Sequence, residues 1–283
     1  MASIALMAST AAWADVEVTG GIFTSSNNTL TLNSNAANKT VAISAAQATE
    51  INGAASTPLK VVVDRGTSGT PTYSTIVLPV DVQKDDDNIT GAYLPTNIIK
   101  EGSDCIVDMT EQTSLQANKP YLIAVKSNPN TLHFKATSDI AATTAEQADY
   151  PIKGTCWAFH GVYKEKYWEK APTNIYGYTA QSGEGFTAGQ FVKVGEDVTL
   201  YPLRAYLSCT PGSLNKSASE EELPETIIVR LLGKNGETMS IGKMNTITGE
   251  IKMQDRYFDL KGRKINGKPQ NMGIYVNKKV MEH

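Results

Sequence analysis

The stretch Thr155-Cys156-Trp157-Ala158-Phe159-His160-Gly161-Val162-Tyr163 decides the fold class. Side chains of an extended chain alternate between two faces, so Trp157, Phe159 and Gly161 share one side, as the interior of a packed sheet requires. The reading extends in both directions. Upstream, residues 115–125 read as a turn feeding a buried strand, and residues 74–82 as a strand interrupted by Pro79, which suits an edge or a bulge. Downstream, residues 174–178, 190–194 and 203–207 are short aromatic and β-branched runs separated by turn residues. Helical periodicity is nearly absent, and the Ala-rich residues 140–148 are the best short candidate. Regular short strands with turn signals predict an all-β fold, a β-sandwich-like central domain with a small C-terminal β-sandwich or hairpin domain.

The organisation expected along the chain is a signal-peptide remnant at 1–14, an N-terminal β segment at 15–66 and the central domain at 67–210. A linker at 211–224 and a terminal β domain at 225–283 complete it. Ala2 to Ala14 is apolar and ends in Ala12-Trp13-Ala14, the small-x-small pattern of a cleavage site before Asp15. It carries no basic region, and a buried N-terminal helix is the other reading of it. At about 13 residues it is too short to span a bilayer, so no transmembrane segment is expected. The strand candidates in the N-terminal segment are residues 16–19, 29–32, 40–43 and 59–63, which suit a leading sheet or part of a solenoid. Gly66 to Thr72 (GTSGTPT) reads as a hinge, and Pro211 to Pro224 as a polar linker. Thr226 to Leu232 opens the terminal unit, with Asn235-Gly236 supplying a turn.

Composition narrows the function classes. The 283 residues carry a formal charge of −3, which gives no electrostatic reason to expect nucleic acid or an anionic membrane as partner. Charged residues make up only 19%, as suits an exposed β-rich protein. The cysteines, Cys105, Cys156 and Cys209, are too far apart for a C-x-x-C motif. Their odd number excludes a complete disulfide framework. Buried small hydrophobes are the favoured reading, and one disulfide formed after export is the alternative.

The tail YFDLKGRKINGKPQNMGIYVNKKVMEH, residues 257–283, holds two short apolar-aromatic runs around a basic, Gly- and Pro-bearing connection. Its order, D-L-x-G-R, a loop, G-I-Y-V, then N-x-K-x-V, resembles the C-terminal sorting domain of proteins exported by the type IX (Por) secretion system. Asp259, Leu260, Gly262, Arg263, Gly273, Ile274, Tyr275, Val276, Asn277, Lys279 and Val280 carry the resemblance. It implies outer-membrane secretion machinery as partner, and a protein secreted from, or attached to the outer surface of, a bacterium with an outer membrane. It covers about a tenth of the chain. The middle, with Y-x-T-I-x-L-P, L-x-A-N-x-P-Y-L, W-x-F-x-G-x-Y, G-x-F-V-K-V and R-A-Y-L, resembles an uncharacterised β domain of bacterial surface proteins. That resemblance covers about half the chain and implies fold and location, without an activity.

Catalytic chemistry is sparse. Gly262 to Lys268 fits G-x-x-x-x-G-K, but Pro269 follows where a phosphate-binding loop needs a hydroxyl and an N–H. Gly183 to Gly189 is one residue too long for a dinucleotide fingerprint. No cofactor is expected. Asp85-Asp86-Asp87-Asn88 lacks calcium-loop spacing and reads as a solvated turn, so no metal is expected either. The internal histidines, His133 and His160, could serve a nucleophile–His–acid relay, yet no G-x-S-x-G elbow or H-E-x-x-H helix is present. Both read as strand residues in mixed packing. Asp104, Asp108 and Glu111 are neighbours in sequence, and exposure on a loop is their ordinary explanation against a carboxylate pair of a hydrolase.

The expectation is therefore a non-enzymatic surface protein with an adhesive or structural role. A carbohydrate-binding module is the alternative, on the aromatic group in residues 157–168. Tyr163, Tyr167 and Trp168 are its candidate binding residues for an extracellular glycan, since flat rings stack on sugars. Trp157 and Phe159 are assigned to the core.

Overall fold

The computed structural model describes residues 14–67, 70–84, 89–127, 129–143, 146–180, 188–210, 223–245, 250–253, 257–258 and 264–265. Side chains are described as far as residue 239, apart from that of Lys84. The first strands are β1 (Val16–Val18), β2 (Gly21–Thr24), β3 (Thr29–Asn33), β4 (Lys60–Asp64), β5 (Tyr73–Ile76), β6 (Val82–Lys84), β7 (Ile89–Glu101) and β8 (Asp104–Glu111). Next come β9 (Ser114–Leu115), β10 (Tyr121–Val125), β11 (Thr131–Ala136), β12 (Gln147–Pro151), β13 (Trp157–Val162), β14 (Lys166–Trp168), β15 (Ile175–Thr179) and β16 (Gln190–Lys193). The last are β17 (Val198–Leu200), β18 (Arg204–Cys209), β19 (Thr226–Leu232), β20 (Thr238–Asn245), β21 (Glu250–Met253), β22 (Tyr257–Phe258) and β23 (Lys264–Ile265). The fold is all-β, as expected.

A 7-stranded sheet has the order β1-β2-β3-β4-β11-β6-β9. A 12-stranded sheet runs β12-β13-β18-β15-β16-β19-β8-β7-β10-β5, with β20 and β21 attached at β19. Two cores result. One gathers Phe23, Leu30, Leu32, Val61 and Val63 from the smaller sheet with Ile76, Tyr121, Ile123 and Val125 from the larger. The other lies inside the larger sheet, around Trp157, Phe159, Tyr176, Phe191, Leu207, Ile227 and Val229. The strand Tyr121-Leu122-Ile123-Ala124-Val125 is buried throughout because its two faces serve different cores. Tyr121, Ile123 and Val125 face the first, and Leu122 and Ala124 the second.

The larger sheet curls until β5, at its end, meets β18. Val77 donates its N–H to the Leu203 carbonyl at 3.4 Å, and the Thr75 hydroxyl donates to the Ala205 carbonyl at 3.1 Å. Gly161 sits on the inner face here, and a Cβ at that position would lie 2.6 Å from the Val77 Cβ. The ring pairs Trp157–Tyr176, with centroids 5.2 Å apart, and Phe159–Phe191, 5.9 Å apart, fill the interior edge-to-face.

Several expectations need correction. The described residues of 140–148 are not helical. Ile140 exchanges hydrogen bonds with the Asn52 side chain, the Thr143 N–H goes to the Ile43 carbonyl, and Gln147 and Ala148 open β12. The helix is instead α1 (Ala45–Ala54), the crossover that the parallel pair β3–β4 requires. Its capping box joins the Ser44 hydroxyl to the Gln47 N–H at 3.2 Å and the Gln47 side chain to the Ser44 N–H at 2.8 Å. Pro79 breaks the expected strand where the chain leaves one sheet for the other, between β5 and β6. Residues 40–43 make isolated bridges only.

Residues 15–66 share a core with the following chain. The Gly66–Thr72 hinge is held, where it is described, by Thr70 N–H to Pro129 and Val125 N–H to Thr72. β19 lies between β16 and β8, parallel to β8, inside the larger sheet. Arg230 fixes it there with two bonds to the Asp108 carboxylate, at 2.5 and 3.0 Å, and one to Glu101 at 2.6 Å. Asp104, Asp108 and Glu111 accordingly lie on a strand, not a loop. Cys156 and Cys209 form a disulfide with Cα atoms 4.9 Å apart, so they are not free hydrophobes, while Cys105 is half-buried.

Candidate functional site

The outer face of the larger sheet carries a polar and aromatic ledge where β12, β13 and β18 run side by side. Register places Asp149 opposite His160 and His160 opposite Tyr206. Alternation adds Gln147 and Ser208 to the same face. The Asp149 Oδ1 lies 2.7 Å from His160 Nδ1, and His160 Nε2 lies 2.7 Å from the Ser208 hydroxyl. The Gln147 amide donates to the same Asp149 oxygen at 2.5 Å. The Tyr206 ring stacks on the imidazole, with centroids 4.9 Å apart and planes 27° from parallel.

Lys166 on β14 closes the ledge at its other side. Its ammonium donates to Gln147 Oε1 and, at 3.0 Å, to the Tyr206 hydroxyl, and stands over the Tyr206 ring. Tyr206 in turn donates to Gln147 Oε1 at 2.8 Å. Burial alone would raise the Asp149 carboxyl. The bonds from His160 and Gln147 and the charges of His160 and Lys166 outweigh it and hold the group below the usual carboxylate range.

The candidate glycan-binding residues separate. Tyr167 is 57% exposed, and its hydroxyl donates to Asp197 at 2.5 Å, a bond that raises the phenol above its ordinary value. Trp168 is half-buried and packs edge-on against Tyr206 at 5.6 Å. As neighbours on β14 the two side chains alternate, so they do not form one flat platform. Tyr163 lies apart from both. It is buried in the first core, its hydroxyl donates to Asn118 at 2.7 Å, and burial pushes its pKa up. It lines, with Asn118, Thr143, Gln147 and Asp149, a shallow cleft of about 210 Å³ beside the ledge.

His160 is thus a network residue, while His133 is exposed on β11 with Thr131 at 3.0 Å. Tyr206, Ser208, Asp149, Gln147 and Lys166 were not singled out from the sequence, since only strand pairing assembles them. The sorting-tail residues Asp259, Leu260, Gly262, Arg263, Gly273, Ile274, Tyr275, Val276, Asn277 and Lys279 lie outside the described residues, as does Asp85–Asn88. Among the described residues no group of His, Cys, Asp and Glu is arranged to hold a metal ion, and no helix is long and apolar enough to cross a membrane. No protein-family model, no curated protein and no solved structure matches the chain.

Proposed function

We propose that this chain is an exported β protein of the bacterial outer surface, with an adhesive or surface-structural role, addressed by its C-terminal tail. The observation that carries the reading is the Cys156–Cys209 disulfide, because protein disulfides persist chiefly in oxidising compartments outside the cytosol. The tail sequence and the apolar N-terminus support it from a different side. The test expresses the full chain and a form ending before Asp259 in a host that has the secretion system, and compares their cell fractions. The full chain should reach the outer surface and the shortened form should stay in the periplasm. Equal surface display of both would remove the tail from the account.

A second reading, glycan binding, is favoured by the ledge. Half-buried Trp168 and the hydrogen-bonding groups of Asp149, Gln147 and Lys166 offer an apolar edge beside polar partners, with exposed Tyr167 on the other face of β14. Affinity electrophoresis through soluble and insoluble glycans decides it, with Trp168→Ala and Tyr167→Ala as controls. Unretarded migration on every glycan would end this reading.

A further inference from the structure

The ledge holds a second arrangement that a surface role does not require. Asp149, His160 and Ser208 come from three adjacent strands, β12, β13 and β18, and form one hydrogen-bonded chain. Each atom in it stands where a proton relay needs it. The carboxylate oxygen meets Nδ1 at 2.7 Å, and Nε2 meets the serine hydroxyl at 2.7 Å. Triads of this kind are recognised by geometry and role, whatever the fold or chain order. Supporting contacts fix the parts. Gln147 donates to the carboxylate, and the Tyr206 ring lies flat on the imidazole. The His160 side chain is 12% exposed, whereas Ser208 is only half-buried and so remains within reach of a reactant. The chain of side-chain bonds is not needed to tie these strands together. Backbone pairing already joins Asp149 to His160 and Ser208 to Ala158 at the same places.

We infer that Ser208 is a nucleophilic hydroxyl, with His160 as its general base and Asp149 as the residue that positions His160, and that it attacks acyl esters. The Ser208 oxygen forms a bond to the acyl carbon while its proton passes to His160 Nε2. The bond from that carbon to the ester oxygen breaks, and the departing alcohol takes the proton from His160. Water then attacks the Ser208 ester by the same proton path, releasing the acid and restoring the hydroxyl. The strand neighbours of Ser208 are Ala158 and Ile175, which offer a small, half-buried apolar floor for the acyl group. Ser208 is paired on both sides, with β13 and with β15. Its strand ladder therefore engages the backbone amide that many hydrolases turn toward the developing oxyanion. Aryl esters, whose leaving group needs least help, are the preferred class, and the acylated Ser208 should accumulate.

The test uses the full chain with p-nitrophenyl acetate, following p-nitrophenolate release and mapping acetylated peptides by mass spectrometry. Acetyl is expected on Ser208, with none at that peptide in Ser208→Ala. His160→Gln should slow acetylation by about a hundredfold. Asp149→Asn, at an exposed position, should slow acetylation of Ser208, with Asp149→Glu recovering part of the rate, and should not lower the urea midpoint measured near neutral pH by more than a surface substitution does. Acetyl found only on lysines, or equal Ser208 labelling in the native chain and His160→Gln, would overturn the inference.

Discussion

The hydroxyl of Thr75 both accepts from the Ala205 N–H, at 2.8 Å, and donates to the Ala205 carbonyl, at 3.1 Å, across the seam where the larger sheet closes on itself. One side chain thereby satisfies two backbone groups that would otherwise be left at the junction of β5 and β18. The buried Arg65 guanidinium braces the same point, donating to the Thr75 carbonyl and to the Ser34 hydroxyl, each at 3.2 Å. Burial, and then the neighbouring Arg204 charge, push the Arg65 pKa well down.

Thr75→Val keeps the shape of the side chain and removes its hydroxyl. It leaves the Ala205 N–H and C=O without that partner, which should cost about 2–6 kcal/mol, as each buried unsatisfied group costs roughly 1–3 kcal/mol. Thr75→Ser should recover most of the loss. Urea unfolding measures both, as a lower midpoint at unchanged slope. A valine variant as stable as the native chain would show that the seam is held elsewhere.

Local patterns made the strands legible and could not make their pairing legible. Alternation in Trp157-Ala158-Phe159 announces β13 because burial with a period of two is a property of a few consecutive residues. The Thr75–Ala205 seam joins positions 130 residues apart, and no local feature marks it. Asp149 and Ser208 lie 11 and 48 residues from His160, on ordinary strand positions, so a search for a nucleophile elbow passes over them. The pairing of β19 is equally invisible locally. A polar stretch before Thr226 looks like a domain boundary, yet β19 returns to pair in parallel with β8. The helix is different. Ser44-Ala45-Ala46-Gln47 carries the capping-box spacing, and that signal was present to be read.

The Cys156–Cys209 bond closes a loop across a sequence separation of 53 residues. Constraining the unfolded chain over such a loop should contribute roughly 4 kcal/mol on the chain-entropy account. Reduction, or the paired change of both cysteines to alanine, should lower the urea midpoint accordingly. Cys105→Ala should leave the oxidised protein's non-reducing mobility unchanged, because Cys105 takes no part in the bond. Loss of the compact non-reducing form in Cys105→Ala would show a different pairing.

Asp149 should make the fold acid-sensitive in a defined direction. Burial favours its protonated form, but the His160 and Gln147 hydrogen bonds and the charges of His160 and Lys166 prevail, so its folded pKa lies below the ordinary value of 3.8. A carboxyl with a depressed folded pKa adds stability that is present above the unfolded pKa. As pH falls below that value the unfolded chain takes up the proton first, and the contribution disappears as pH passes through the folded pKa. Its side chain is 60% exposed, so solvent screening keeps the effect small. Urea midpoints at about pH 6 and about pH 3 should therefore differ less in Asp149→Asn than in the native chain, the range being set by carboxyl titration. If the two proteins lose stability equally, His160 and Gln147 do not hold the carboxylate in solution. The relay to Ser208 would then lack the group that orients its base.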